Sequence, residues 1–206
     1  MLMRNLWILA GLTLTLTTAC RGADTTQTDI PKPVHMMILA DLSTPEEQAY
    51  AAQFTDGFTK KARRFETISL DSFSDETTEV HYSGVSSSQV VEEFLVTRLG
   101  DDVIPSTDKA LLAAAQRVSD YAHDLDGKER LIAVLLTEGT KNKETIDALT
   151  TIVETLPSDG STTVYIAGVS SKYVSSITPV FHTMPANARV IGQFKSDLKT
   201  LLRSLH

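Results

Sequence analysis

Apolar residues follow two alternating patterns along the chain, and each pattern predicts one kind of secondary structure. Short continuous apolar runs between polar segments are typical of buried strands, whereas apolar residues three and four positions apart are typical of amphipathic helices. The runs predict strands over residues 34–39, 67–73, 79–83, 130–136, 163–167 and 189–191. The helical spacing predicts helices over residues 44–65, 87–99, 108–125, 146–156, 171–181 (with a break near Pro179) and 198–205.

The alternation of strands and helices predicts an α/β fold. Nearly continuous apolar strands are buried on both faces, which indicates a mostly parallel central sheet with helices on each side. The polar turn between the strands 67–73 and 79–83 predicts one antiparallel strand at the edge. We therefore expect a Rossmann-like three-layer α/β/α domain, whose sites lie outside the carboxyl ends of the strands. The segments expected at that edge are residues 40–45, 105–108, 137–143 and 168–172.

The first twenty residues have the pattern of a signal peptide. A short segment with Arg4 precedes an apolar run over residues 6–16, which is shorter than the roughly 20 residues of a membrane span. The run leads into the sequence LTTAC, which ends at Cys20 and resembles a bacterial lipobox, although that pattern prefers leucine where Thr17 stands. The resemblance implies that Cys20 is lipidated and becomes the first residue of the mature chain. An ordinary signal peptide with a chance cysteine is the alternative.

These features predict three parts of the chain. Residues 1–19 form the signal peptide, residues 20–33 form the lipidated cysteine with a polar, flexible tether, and residues 34–206 form the domain. Two or more acyl chains hold a protein stably at a membrane, whereas a single chain is marginal. We therefore expect a membrane-anchored lipoprotein that faces the periplasm or the extracellular space.

Composition narrows the class of partner. The chain has 206 residues, of which 42% are hydrophobic, and a formal net charge of −7. The length and hydrophobic content fit one globular domain. The negative charge argues against a nucleic-acid partner, because proteins that bind nucleic acids present a basic face. The single cysteine excludes an intramolecular disulfide.

Side chains with oxygen atoms are expected at the carboxyl edge of the sheet. Asp41 and Ser43 follow the first strand, Thr107 precedes a helix, and Glu138 follows the strand 130–136. Carboxylate and hydroxyl oxygens are ligands of Mg²⁺ and Mn²⁺. Oxygen atoms at this edge could therefore hold Mg²⁺ or Mn²⁺, and the family resemblance described next implies that these four residues are the metal ligands.

In order and spacing, these four residues resemble the metal-ion-dependent adhesion site of the von Willebrand factor type A (vWA) domain, which has the pattern Asp-x-Ser-x-Ser, Thr, Asp. Residues 68–75 resemble the second strand of that family with its Phe-Ser turn, and residues 164–169 resemble its fifth strand. The resemblance covers residues 34–205. It implies a vWA-like fold and a protein-binding function, in which an acidic side chain of the partner completes the shell of the cation.

Two positions depart from the family pattern. Pro45 stands where the second serine is expected, and Glu138 stands where the aspartate is expected and is one methylene longer. Helix capping is an alternative explanation of the hydroxyls, because Thr44, Pro45 and Glu47 form a capping box with proline at the first helical position. Thr107 or Ser106 is likewise placed to cap the helix predicted to begin at residue 108. Metal binding and capping are both open at this point.

The expected function is that of a membrane-anchored module that binds another protein without catalysis. The alternative is a metal-free scaffold subunit of an envelope complex, which would use its helix faces. The sequence has neither a glycine-rich phosphate loop nor a G-x-S-x-G motif, and Ser43 stands where a phosphatase of the haloacid-dehalogenase type has a second aspartate. The five histidines are far apart in sequence and form no zinc or triad pattern. No catalytic residue is predicted, and a phosphatase or hydrolase is the least supported alternative.

Overall fold

The structure, a computed structural model, describes residues 31–74, 77–98, 107–182 and 187–205, within a folded unit that runs from Lys32 to His206. The predicted signal peptide, Cys20 and the tether up to residue 30 lie outside the described residues, as do residues 105–106. In the described part of the chain, no helix is long and apolar enough to cross a membrane.

One sheet of six strands forms the centre of the unit. Its strands are β1 (Val34–Asp41), β2 (Thr67–Phe73), β3 (Thr78–Val85), β4 (Arg130–Leu136), β5 (Thr162–Val169) and β6 (Asn187–Gly192). The strand order is β3-β2-β1-β4-β5-β6. Strands β2 and β3 are antiparallel, and every other neighbouring pair is parallel. The predicted mostly parallel sheet with one antiparallel edge strand is therefore confirmed.

Six helices cover the two faces of the sheet. They are α1 (Pro45–Thr59), α2 (Ser88–Arg98), α3 (Ala110–Asp124), α4 (Lys143–Glu154), α5 (Val174–His182) and α6 (Lys195–Ser204). Residues of α1, α2 and α6 pack in one hydrophobic cluster, and residues of α3, α4 and α5 pack in the other. The two clusters lie on opposite faces of the sheet, which confirms the predicted three-layer fold.

Strand β1 illustrates why the buried strands are almost uniformly apolar. Met36, Ile38 and Ala40 belong to the cluster with α1, whereas Met37 and Leu39 belong to the cluster with α3. Because successive side chains of a strand point to opposite faces, a strand covered on both faces needs an apolar residue at every position. The carboxyl end of this strand carries the first residue of the candidate site.

Helices α1 and α5 depart from their predictions in ways that have a physical reason. Helix α1 ends at Thr59 and is followed by a separate 3-10 turn over Ala62–Arg64, so the predicted helix 44–65 is too long. Helix α5 continues through Pro179 to its end, so the predicted break is wrong. Proline removes one helical hydrogen bond, but the next two residues, Val180 and Phe181, are buried in the core. Their packing favours the continued helix.

Gly168, near the end of β5, allows a close approach between the sheet and α1. Its φ is +89°, a region that is strained for residues with a Cβ atom. A Cβ atom at this position would lie 2.9 Å from Cδ1 of Tyr50 and 3.3 Å from the carbonyl oxygen of Thr137. The position of the Tyr50 ring therefore depends on a glycine here.

We expect Gly168→Ala to lower the free energy of unfolding by about 2–4 kcal/mol, because alanine adds backbone strain and displaces the Tyr50 ring. Gly160 is a matched control, since its φ is +76° and no atom lies within 4 Å of a Cβ built there. Gly160→Ala should cost only about 1 kcal/mol. Urea unfolding measures the free energy of unfolding of both variants. Equal losses of stability would contradict the proposed steric conflict between a Cβ atom at residue 168 and Tyr50.

Candidate functional site

A cleft of about 340 Å³ lies at the carboxyl ends of β1 and β4, and we call it the strand-end cleft. All four predicted site residues line it, namely Asp41, Ser43, Thr107 and Glu138. The other polar residues of its wall are Thr44, Glu47, Asp108, Thr137 and Thr140. The sheet edge thus brings the predicted residues together, although Asp41 and Glu138 are 97 positions apart in sequence.

The turn between β1 and α1 positions Asp41 and Ser43. Asp41 is the last residue of β1 and is buried, and its Oδ1 accepts a hydrogen bond of 3.0 Å from the Ser43 backbone N–H. Thr44 is the N-cap of α1, and its Oγ1 accepts from the Glu47 backbone N–H at 3.2 Å. Pro45 occupies the first turn, where its missing N–H costs nothing. The predicted capping by Thr44 is therefore confirmed.

Glu47 is the central residue of the cleft, and the sequence marked it only as part of the capping box. Its Oε2 accepts hydrogen bonds from the hydroxyls of Ser43 and Thr44, at 2.8 Å and 3.0 Å. Its Oε1 accepts from the Glu138 backbone N–H at 3.2 Å. One carboxylate therefore joins the segment after β1 to the segment after β4.

Asp41 and Glu47 form a carboxyl pair at the base of the cleft. Burial, followed by the charge of Glu47 and a hydrogen bond with it, raises the pKa of Asp41 to about 7. Hydrogen bonds from Ser43 oppose this increase. Near neutral pH, Asp41 therefore holds a proton in a large share of molecules, which reduces the repulsion between the two groups.

The remaining predicted residues have contacts of their own. The Oγ1 of Thr107 accepts a hydrogen bond of 3.3 Å from the Lys109 backbone N–H. Helix α3 begins later than predicted, with Lys109 as its N-cap and no side-chain cap, so the prediction that Thr107 caps it is wrong. The Oε2 of Glu138 lies 3.4 Å from Nζ of Lys172. The Glu138 side chain is thus paired with a lysine, and the charge that raises the pKa of Asp41 is that of Glu47.

The hydrogen bonds of the cleft engage some of the oxygen atoms that the family resemblance assigns to a divalent cation. Within the described residues, no group of three His, Cys, Asp or Glu side chains is arranged to hold a metal ion, but the predicted set consists of two carboxylates and two hydroxyls, so the metal site stays a prediction. The hydroxyl protons of Ser43 and Thr44 are directed to Glu47, and the carboxylate of Glu138 faces a lysine. A second serine is absent because Pro45 starts the helix. The hydroxyl groups of Ser43 and Thr44 therefore already have an acceptor in Glu47.

One serine–histidine contact was not expected from the sequence. The Oγ of Ser72 lies 2.7 Å from Nε2 of His81, and Nδ1 of His81 lies 3.6 Å from Oε1 of Glu79. A bulge in the pairing of β2 with β3 places His81 in this position. Ser72 is buried, however, and the groove between β3 and α2 is lined by His81 and Glu79 but not by Ser72. The non-enzymatic function therefore stays a prediction.

Known proteins resemble this chain in structure and not in sequence. No protein-family model matches the chain, and no curated protein sequence matches it either. A solved mutant of the PilB minor pilin from Streptococcus sanguinis has a TM-score of 0.60 at 8% identity, over 86% of this chain and 61% of that one. The human COPII-coat protein Sec24c has a TM-score of 0.51 at 8% identity, over 84% of this chain and 32% of that one.

A third similar structure is the VWA domain of SpRpn10, with a TM-score of 0.43 at 9% identity, over 83% of this chain and 94% of that one. The chain spans less than two thirds of the length of the first two proteins. At these identities the likeness concerns the fold alone. The strand order with one antiparallel edge strand is the vWA-like topology that the sequence resemblance implies.

The raised pKa of Asp41 predicts a specific pH dependence of stability. Between pH 4 and pH 7 the unfolded chain loses the Asp41 proton while the folded chain retains it, so stability falls as pH rises through this window. Asp41→Asn removes this loss and keeps the acceptor for Ser43. Relative to the original protein, the variant should gain about 2–4 kcal/mol between pH 5 and pH 8 in the presence of EDTA.

Thermal melts at both pH values measure this gain. Asp147→Asn is the control, because Asp147 is an exposed residue of α4 whose carboxylate is paired with Lys143 on the surface. Its stability relative to the original protein should be the same at pH 5 and pH 8. A flat profile for Asp41→Asn as well would contradict the retention of a proton at Asp41.

Proposed function

We propose that this protein is a membrane-anchored binding module of the vWA type, which binds a protein partner through the strand-end cleft and does not catalyse a reaction. We also propose that the cleft works without a divalent cation. One observation carries this proposal: the carboxylate of Glu47 accepts from Ser43, Thr44 and the backbone of Glu138. It joins the segments that a bound cation would join in the family pattern.

The hydrogen bonds of Glu47 explain how a carboxylate could take the place of a cation in holding the cleft together. Hydrogen bonds to an ionised carboxylate are roughly twice as strong as those between neutral groups. Three such bonds reach residues from both sides of the cleft. The loops are therefore held in place before any partner arrives, which lowers the entropy lost on binding.

The proposed lipid anchor determines on which side of the membrane the domain meets its partner. Lipidation of Cys20 would hold the domain at the membrane through the tether over residues 21–33, which as a coil spans roughly 20 Å. The partner is then a protein on the periplasmic or extracellular side. The alternative, a scaffold subunit that binds through its helix faces, differs in the surface used.

Independence from metal predicts an unchanged melting temperature. A cation that binds only the folded state would stabilise it by about 2.7 kcal/mol at a concentration 100 times its dissociation constant. We expect the detergent-solubilised protein to melt within about 1 °C in EDTA, in Mg²⁺ and in Mn²⁺. A saturable rise with either metal that Asp41→Ala abolishes would contradict cation independence and restore the metal site implied by the resemblance.

Photo-crosslinking in the producing cell tests the binding surface. A p-benzoylphenylalanine at Thr107, which is exposed at the cleft, should give one discrete protein adduct. The same residue at Asp147, whose side chain is 62% exposed on α4, should give none. Cys20→Ala should release the protein from the membrane fraction and reduce the adduct. An adduct from Asp147 and none from Thr107 would favour the scaffold alternative.

A further inference from the structure

Five positive side chains lie where helices α1 and α6 end, and we call this group the basic corner. Its members are Lys60, Lys61, Arg63, Arg64 and Arg203. The first four belong to the segment that follows α1, and Arg203 belongs to the last turn of α6. Nζ of Lys61 donates a hydrogen bond of 3.4 Å to the carbonyl oxygen of Leu205, which joins the two helix ends. The basic corner is therefore one surface formed from two parts of the chain.

Acidic groups do not balance the charge of the basic corner. Residues 57–65 and 198–206 contain no Asp or Glu. The four members other than Lys61 are exposed, and no ion pair joins any of them to a carboxylate of the described residues. Partial burial, followed by the charge of Arg64, lowers the pKa of Lys61. A like charge that lowers the pKa of a neighbouring lysine indicates that positive charge is concentrated here.

Two lysines that precede β1 and β4 differ from the basic corner, because they have acidic neighbours. Nζ of Lys128 lies 3.8 Å from Oδ2 of Asp126. Hydrogen bonds from Ser161, and then the charge of Lys32, lower the pKa of Asp159. Positive charge without a counter-charge is therefore confined to the side of the domain where α1 and α6 end.

The helix ends do not explain so many cations. A positive charge in the last turn of a helix complements the helix dipole, and the effect falls off beyond that turn. Lys61 contacts the end of α6. Arg63 and Arg64 lie beyond α1, whose last residue is Thr59. These exposed cations are therefore available to a partner of opposite charge.

The basic corner lies at the edge of the sheet where the chain enters the folded unit. The backbone N–H of Val34, the first residue of β1, donates to Oε2 of Glu66 at 2.9 Å, and Glu66 is two residues after Arg64. Strand β2 begins at Thr67, which pairs with His35. The start of β1 and the basic corner therefore share one edge. The strand-end cleft lies at the opposite edge, about 25 Å away, because β1 has 8 residues at about 3.3 Å each.

We propose that the basic corner docks on anionic lipid headgroups of the membrane that anchors the protein, so that the strand-end cleft faces away from the bilayer. This inference rests on the membrane anchor of the proposed function and adds the orientation of the domain. Each Lys or Arg close to an anionic surface strengthens binding about fivefold. An anchored domain stays near the headgroups, so its docking is favoured by a high local concentration.

The net charge of the chain makes this docking specific to one surface. Because that charge is −7, the protein as a whole is repelled by an anionic membrane. Docking therefore depends on the separation of the cations of the basic corner from the acidic remainder of the chain.

Fluorescence quenching at a vesicle surface tests the proposal. The full-length protein is reconstituted from a nonionic detergent into vesicles of phosphatidylcholine, either alone or with one third phosphatidylglycerol, and a lipid with a spin-labelled headgroup is the quencher. Cys20 is the only cysteine of the chain, so in a lipidated protein an added cysteine is the single free thiol. Ser204→Cys places a fluorophore beside the basic corner, and Thr107→Cys places one at the strand-end cleft. We expect quenching at residue 204 in the anionic vesicles, little in the neutral vesicles, and none at residue 107 in either.

Two triple substitutions that remove equal charge separate docking by the basic corner from general attraction. The first neutralises three exposed cations of the basic corner, with Lys60→Gln, Arg63→Gln and Arg64→Gln. The second neutralises three exposed lysines near the opposite edge of the sheet, with Lys109→Gln, Lys141→Gln and Lys143→Gln. The first set should abolish most of the quenching at residue 204, because each charge contributes about fivefold, and the second should leave it unchanged.

Salt at 1 M should also abolish the quenching, because it screens charges beyond about 3 Å. Melting curves confirm that each variant is folded.

Equal quenching at residue 204 in neutral and anionic vesicles would overturn the proposal, as would full quenching after the first triple substitution. Absence of quenching at residue 204 in a lipidated protein would reject the docking and leave the anchor of the proposed function intact.

The thiol reagent also tests the anchor separately. Labelling of the original protein, whose only cysteine is Cys20, would contradict lipidation and thus the anchor of the proposed function. Flotation of that protein with the two kinds of vesicle would then decide the role of the basic corner. Binding to anionic vesicles that the first triple substitution abolishes would support this role, and absence of binding would reject it.

Discussion

The carboxylate of Glu47 is the interaction on which the strand-end surface depends. It lies in the first turn of α1, yet it accepts from the backbone of Glu138, which is 91 positions further along the chain. Through Ser43 and Thr44 it also holds the segment that leaves β1. Because these segments are the connections after two adjacent strands, a single buried group orders the floor of the cleft. Pro45 and the cap by Thr44 set the direction of α1 and so aim this side chain.

The same group determines the electrostatics of the surface. Glu47 next to Asp41 places two carboxyl groups together at the end of a buried strand, and the pKa of Asp41 rises in response. A metal would supply positive charge here, but the hydroxyl protons already point at Glu47. The local negative charge is therefore reduced by protonation and hydrogen bonding.

Sequence patterns predicted an element correctly where a single local rule determines its structure. The strand predicted over 130–136 has the same bounds as β4, because burial on both faces leaves a continuous apolar run. The break predicted at Pro179 failed because core packing outweighs one lost hydrogen bond. The role of Glu47 could not be predicted, because the capping box already explains a glutamate at this position. Its third hydrogen bond comes from the backbone of Glu138, in the segment after β4, and only the fold brings the two residues together.

The positions where local preference is violated help to separate stability from function. At α1 and α4 the caps are supplied by Thr44 and Asn142, which are the residue types that helix starts favour. At α6 the N-cap is Phe194, which is 61% exposed and makes no side-chain hydrogen bond to the helix. A helix start that is optimised for stability carries Ser, Thr, Asp or Asn at this position. The start of α6 is therefore a place where local preference is overridden, whereas the starts of α1 and α4 follow it.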